Sequence, residues 1–190
     1  EEFENLVRQL LAEHGSPDSD FVWFNPELAP QEMLFEQAEM IEAMPLEERK
    51  KYEARLKELK VVLIRTMISD QLKYIRIARK WFTVGDLKDI RSRKIGNGKI
   101  GGKAAGMLLA MRIIKETAPA DVAARFRLPV SYYHGSDVFY NFLTYNDLIH
   151  WNDQKYKTDD EMRVDYPALR ADFQQGHFPA EIMESLEHVL

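Results

Sequence analysis

Apolar residues recur every three or four positions along most of this chain, a spacing that predicts a mainly helical protein. Phe3, Leu6, Val7, Leu10 and Leu11 form one stripe over residues 2–13, an amphipathic helix closed by His14-Gly15 and Pro17. The aromatic connector Phe21-Val22-Trp23-Phe24 reads as an apolar plug that docks that helix. A second helix is expected from about Pro30 to Ala43, with Met33, Leu34, Ala38 and Ile41 turned inward. Pro45 suits a first helical turn, and Glu47 and Glu48 complement the positive end of the helix dipole. Neither Gly nor Pro follows until Gly85. Tyr52, Leu56, Leu59 and Leu63 keep a four-three spacing, which Ile68, Leu72, Ile75 and Phe82 resume after a shift. The pattern predicts one helix from Leu46 to Phe82, about 55 Å long at 1.5 Å per residue. Its middle, Val61-Val62-Leu63-Ile64, is apolar on all sides and is expected to be buried.

The second half is more broken. Thr83-Val84-Gly85-Asp86-Leu87 forms a hinge into a short helix, and a glycine-rich run precedes a helix from about Gly102 to Thr117. Residues 119–126 add a turn or two of helix, and Val130-Ser131-Tyr132-Tyr133 is the best strand candidate. Ser136 is expected to cap a helix from Asp137 to Tyr145, and residues 152–157 to form a polar loop. Thr158-Asp159-Asp160-Glu161 opens the next helix with a capping box. Gly176 and Pro179 precede a last helix that meets no stop signal, the pattern of an amino-terminal piece of a longer protein.

Composition narrows the choices. The 45% hydrophobic and 30% charged fractions are those of a soluble globular chain. No apolar run approaches the ~18 residues that a membrane span needs, and no signal peptide is visible at the acidic start. With no Cys, thiolate chemistry and disulfides are excluded, and a cytoplasmic setting is expected. A net charge of -5 argues against a general nucleic-acid binder. Against that acidic background, Arg91, Arg93, Lys94, Lys99 and Lys103 make a basic island with no acid among residues 91–103. The five histidines show no metal-ligand spacing, and no Gly-x-Ser-x-Gly nucleophile turn occurs.

Glycines and lysines crowd the run Lys94-Ile95-Gly96-Asn97-Gly98-Lys99-Ile100-Gly101-Gly102-Lys103-Ala104-Ala105-Gly106, which leads into the strong helix former Met107-Leu108-Leu109-Ala110-Met111. Glycines let backbone N–H groups approach an anion closely, and a helix N-terminus adds unpaired donors and a positive dipole end. The physical reading is a phosphate-cradling loop, most simply for a nucleotide. The plain alternative is a turn that only connects two helices. Gly96-Asn97-Gly98-Lys99-Ile100-Gly101 has dinucleotide-fingerprint spacing, but residues 89–94 are too charged for the buried strand that should precede it. Nor is this a P-loop: Gly102 follows Gly101 where Lys is required, and Ala104 follows Lys103 where a hydroxyl would bind magnesium.

Ile100-Gly101-Gly102-Lys103-Ala104-Ala105-Gly106 resembles the Gly-Gly-Lys loop that opens the ATP-grasp domain of the pyruvate phosphate dikinase and phosphoenolpyruvate synthase family. Leu128-Pro129-Val130, the run Asp137-Val138-Phe139-Tyr140-Asn141-Phe142-Leu143 with Asn146, and Gly176-His177-Phe178-Pro179-Ala180-Glu181-Ile182 follow in the family's order. Where the family has Pro-x-Gly-Phe, this chain has Ser131-Tyr132-Tyr133-His134-Gly135.

The fold expected is therefore α+β and mainly α: a helical unit with a long helix at residues 1–90, then the start of an ATP-grasp domain at 91–190 with little β structure. The resemblance implies that Lys103 contacts ATP phosphates and that Gly101 and Gly102 shape the loop, while Lys99 and Arg93 add charge by position. It implies Mg2+ with the ATP, its ligands lying beyond Leu190, and pyruvate or a related small molecule as a partner of the whole phosphotransferase. No residue of this chain is expected to be catalytic. The competing class is a non-enzymatic helical interaction module, with the glycine loop as connector and the long helix as a dimer seam. A Rossmann dehydrogenase would need a strand presenting an acid near Glu116, and none is visible.

Overall fold

In a computed structural model that describes residues 22–189, the apolar stripes expected within that range become helices. Of these residues 71% are helical and 2% lie in strands, so the chain is mainly α with very little β. In order they are α1 (Gln31–Ala43), α2 (Leu46–Met67), α3 (Leu72–Trp81), α4 (Val84–Ser92), β1 (Lys94–Ile95), α5 (Gly102–Thr117), α6 (Ala120–Ala123), β2 (Tyr133–His134), α7 (Ser136–Tyr145), a 3-10 segment (Ile149–Tyr156), α8 (Asp159–Gln175) and α9 (Ala180–Val189). The helix expected over residues 2–13 lies outside the described residues. No described helix is long and apolar enough to cross a membrane.

The residues fall into two units. The first comprises the described residues up to Arg65 together with Asp70–Lys88; the second comprises Thr66–Ser69 and residues 89–189. Leu34, Ile41, Leu59, Leu63, Val84 and Leu87 are fully buried in the first unit. The apolar middle of α2 is buried at Val62, Leu63 and Ile64, as its composition predicts. A polar knot lies beside it. Arg55, only 5% exposed, donates to Gln37 Oε1 at 2.7 Å, to Glu58 Oε2 at 2.9 Å and to the Phe24 carbonyl at 2.8 Å. Its guanidinium also faces the rings of Trp23 and Phe24. Three directed bonds and two rings compensate the loss of hydration of a buried cation.

The single helix expected from Leu46 to Phe82 is two helices. The chain leaves the helical path at Ile68-Ser69-Asp70-Gln71 without a glycine or proline. Ser and Asp are weak helix formers because their side chains compete for the backbone. The carbonyl of Met67, released at the end of α2, accepts the N–H of Ile100 at 3.0 Å. A tertiary hydrogen bond thus replaces an intrahelical one. The continuous 46–82 helix, which the alternative reading as an interaction module uses as its seam, is therefore interrupted.

The second unit is built around a minimal parallel sheet, with Lys94 opposite Tyr133 and Ile95 opposite His134. Only the end of the predicted strand pairs; Val130 is 84% exposed. Ile95, Val138 and Ile182 form one core cluster, covered by Leu186 and Val189 of α9. Phe142, Leu143 and Leu148 form another, packed on by Trp151 and Phe173. The stretch 149–156, expected to include a loop, is a 3-10 segment. Thr158 and Glu161 make both bonds of the predicted capping box.

A closed bend and an uncapped helix

The glycine run is built in two parts with different work to do. The first, residues 96–99, is a closed bend. Gly96 takes φ +81°, a left-handed conformation that glycine adopts without the Cβ clash. The chain then folds back toward α7: Gly135 N–H donates to Ile95 O at 2.8 Å, and Ser136 N–H to Lys99 O at 2.9 Å. The Asp137 carboxylate accepts the N–H groups of Asn97 and Gly98, both at 2.7 Å. From the other side Lys94 Nζ donates to the carbonyls of Asn97 at 2.8 Å and Gly98 at 2.9 Å. Two opposite charges therefore grip three successive peptide groups of the bend, through the N–H and C=O groups of Asn97 and Gly98. A methyl at Gly98 would come within 2.6 Å of Asp137 N, and one at Gly96 within 2.8 Å of Val138 Cγ2.

The clamp perturbs both charges. Burial alone would raise the Asp137 carboxyl, but hydrogen bonds from the backbone of Asn97, Gly98 and Asp137 itself, with the charge of Lys94, hold it below its ordinary value. Burial pulls the Lys94 ammonium below the usual lysine value, partly offset by Asp137. Ser136, expected to be a cap, is instead the first residue of α7, whose N-cap is Gly135 with no side-chain bond. The carboxylate beside it serves the loop.

The second part is open. Gly101 is the N-cap of α5 and accepts from Ala105 N–H at 3.0 Å. No side chain caps this helix, and the N–H groups of Gly102, Lys103 and Ala104 have no carbonyl one turn back to receive them. Methyl groups added at Gly101, Gly102 or Gly106 would meet no other element among the described residues within 4 Å. Lys103 is exposed in the first turn.

The predicted residues are thus partly assembled. Gly101, Gly102 and Lys103 share the N-terminal turn of α5, and Lys99, half-buried, closes the preceding bend through its carbonyl. Arg93 is turned to other partners: it pairs with Asp89, donates to Ser131 O at 3.3 Å and lies 5.6 Å from the Tyr133 ring centroid. Glu116 lies on α5, 2.7 Å from Arg112, so no strand presents it as a ribose anchor. Sequence reading missed Asp137 and Lys94 as clamp residues. An acid two residues after the Gly135 turn was the available signal. Among the described residues no three His, Asp or Glu side chains gather as a metal site.

Two of the stretches that carried the resemblance, 137–146 and 176–182, meet at the C-terminal end of α7. Asn146, at its C-terminal end, donates to His177 O and accepts His177 N–H, both at 2.9 Å. The Phe142 ring lies 4.8 Å from that of Phe178. The bend at one end of α7 and the Gly176–Pro179 segment at the other are therefore tied to one helix.

No protein-family model, no curated protein and no solved structure matches this chain.

Proposed function

We propose that this chain supplies the ATP-binding portion of a phosphotransferase resembling pyruvate phosphate dikinase and phosphoenolpyruvate synthase, the phosphates resting on the N-terminus of α5. One observation carries the reading. Gly106 stands inside a helix, where alanine would be better by about 1 kcal/mol, yet among the described residues no neighbour of Gly102 or Gly106 requires its smallness. A ligand that approaches the backbone closely would. The free N–H groups of the first turn and the helix dipole suit an anion there, and the Lys103 ammonium adds a full charge. The clamp of Asp137 and Lys94 fixes the bend that leads into this turn, so the donors are held before the ligand arrives. Magnesium would enter with the nucleotide, and the phosphoryl acceptor would be pyruvate or a related small molecule.

Isothermal titration with Mg-ATP tests this. Lys103→Ala is expected to weaken binding by about tenfold or more, the loss of one charge-assisted contact. Gly106→Ala is expected to raise the unfolding free energy by about 1 kcal/mol while weakening ATP binding. Binding unchanged in Lys103→Ala would instead favour an interaction module in which the loop is a connector.

A further inference from the structure

The first unit carries a cationic hollow of its own. A cavity of about 680 Å³ opens between the end of α1, the outer face of α2 and the last turn of α3. Arg49, Lys50, Lys57, Lys60, Arg79 and Lys80 line it, against only two carboxylates, Glu42 and Glu53. Glu42 is already committed, accepting the N–H of Val84 at 3.0 Å. Glu53 is paired with Lys57 at 2.6 Å, and Lys50 with Glu47 at 2.8 Å. Such exposed pairs are weak and readily exchanged for a stronger anion. Arg79 and Lys80 are exposed and have no carboxylate partner among the described residues. In a chain of net charge -5, a hollow that gathers six cations against two acids is a local reversal of sign.

We infer that this hollow binds a small anion carrying two or more phosphate groups. Its volume lies within the range of small-molecule sites, about 300–1,000 Å³. A phosphate chain concentrates several negative charges in that space, for which Arg49 and Arg79 offer planar forks and the lysines mobile point charges. Leu46 and Leu56 give the hollow an apolar strip on which a base or other uncharged group would rest. Free polyphosphate and a nucleoside diphosphate share this chemistry.

The test is amide chemical-shift mapping on the 15N-labelled chain, titrated with sodium tripolyphosphate and, separately, with ADP, both without magnesium. Tripolyphosphate is expected to shift the amides of Arg49, Lys60, Arg79 and Lys80 in one saturable transition that survives Lys103→Ala. The double variant Arg79→Gln/Lys80→Gln, at exposed positions, is expected to raise the apparent Kd about tenfold. If ADP shifts the same amides and those of Leu46 and Leu56 as well, the site takes nucleotides. If only tripolyphosphate does, it takes free polyphosphate. Shifts confined to residues 98–106, an unchanged Kd in the double variant, or binding of a DNA duplex in place of tripolyphosphate would each overturn the inference. Because the mapped amides belong to the first unit and residues 98–106 to the second, failure here leaves the glycine-loop reading standing, and the reverse also holds.

Discussion

Gly135→Ala is expected to lower the unfolding free energy by roughly 3 kcal/mol, the upper end of the cost of forcing atoms into a filled site. The added methyl would press on the Asp137 carboxylate and lie 2.8 Å from Gly98 N and 3.0 Å from Gly98 O. Two of those neighbours are backbone and cannot rotate away. Relief would require β2 to separate from β1 or the bend at 96–99 to open, and Gly135 N–H also supplies the bond to Ile95 O. Urea unfolding of the full chain, with hydrogen exchange of the Gly98 amide, measures both effects. Since the bend aims the chain into α5, Mg-ATP affinity is expected to fall with it. A midpoint equal to that of the wild type would mean that this glycine is not part of the closure. The contrast with Gly106→Ala, expected to stabilise, separates glycines required by packing from those that the proposed function reserves for a ligand.

Removing the carboxylate has the next largest effect. Asp137→Ala leaves the N–H groups of Asn97 and Gly98 without their acceptor and Lys94 without a counter-charge. Asn97 is exposed and water replaces its bond, whereas Gly98 is half-buried. The net cost expected is about 2 kcal/mol, that of losing charge-assisted hydrogen bonds at a partly exposed site. The pH dependence has a definite sign. The folded carboxyl titrates below its ordinary value of 3.8, so the unfolded chain binds the proton more readily. Asp137 therefore contributes its full stabilisation above 3.8 and loses it as the pH falls through the lower folded value. The stability gap between wild type and Asp137→Ala is expected to be constant from neutral pH down to about 5 and to shrink below 4. A gap that did not narrow in acid would show that the charge is not what holds the bend.

The local signals in the sequence were strong where one helix decides its own form. The inward face of α1 at Met33, Leu34, Ala38 and Ile41, the apolar middle of α2, the start of α5 at Gly102 and the capping box at Thr158 all follow from spacing and from residues within one turn of each other. Gly101, Gly102 and Lys103 were legible for the same reason: a glycine-rich turn before a strong helix former is a local pattern. Lys99 and Arg93 were chosen for charge alone, and charge does not say where a side chain points. Arg93 turns to Asp89, Ser131 and Tyr133.

What the sequence by itself determined is the helical character of the chain, most element boundaries and the loop that presents free backbone donors. These rest on periodicity and on interactions a few residues apart. Only the tertiary structure decided that the long apolar run stops at Met67, because the compensating acceptor for Ile100 lies 33 positions away in the chain. It also decided that Asp137 grips peptides 39 and 40 positions earlier rather than capping its own helix. A hydrogen bond between distant residues leaves no periodic trace, since it depends on which surfaces meet when the chain closes.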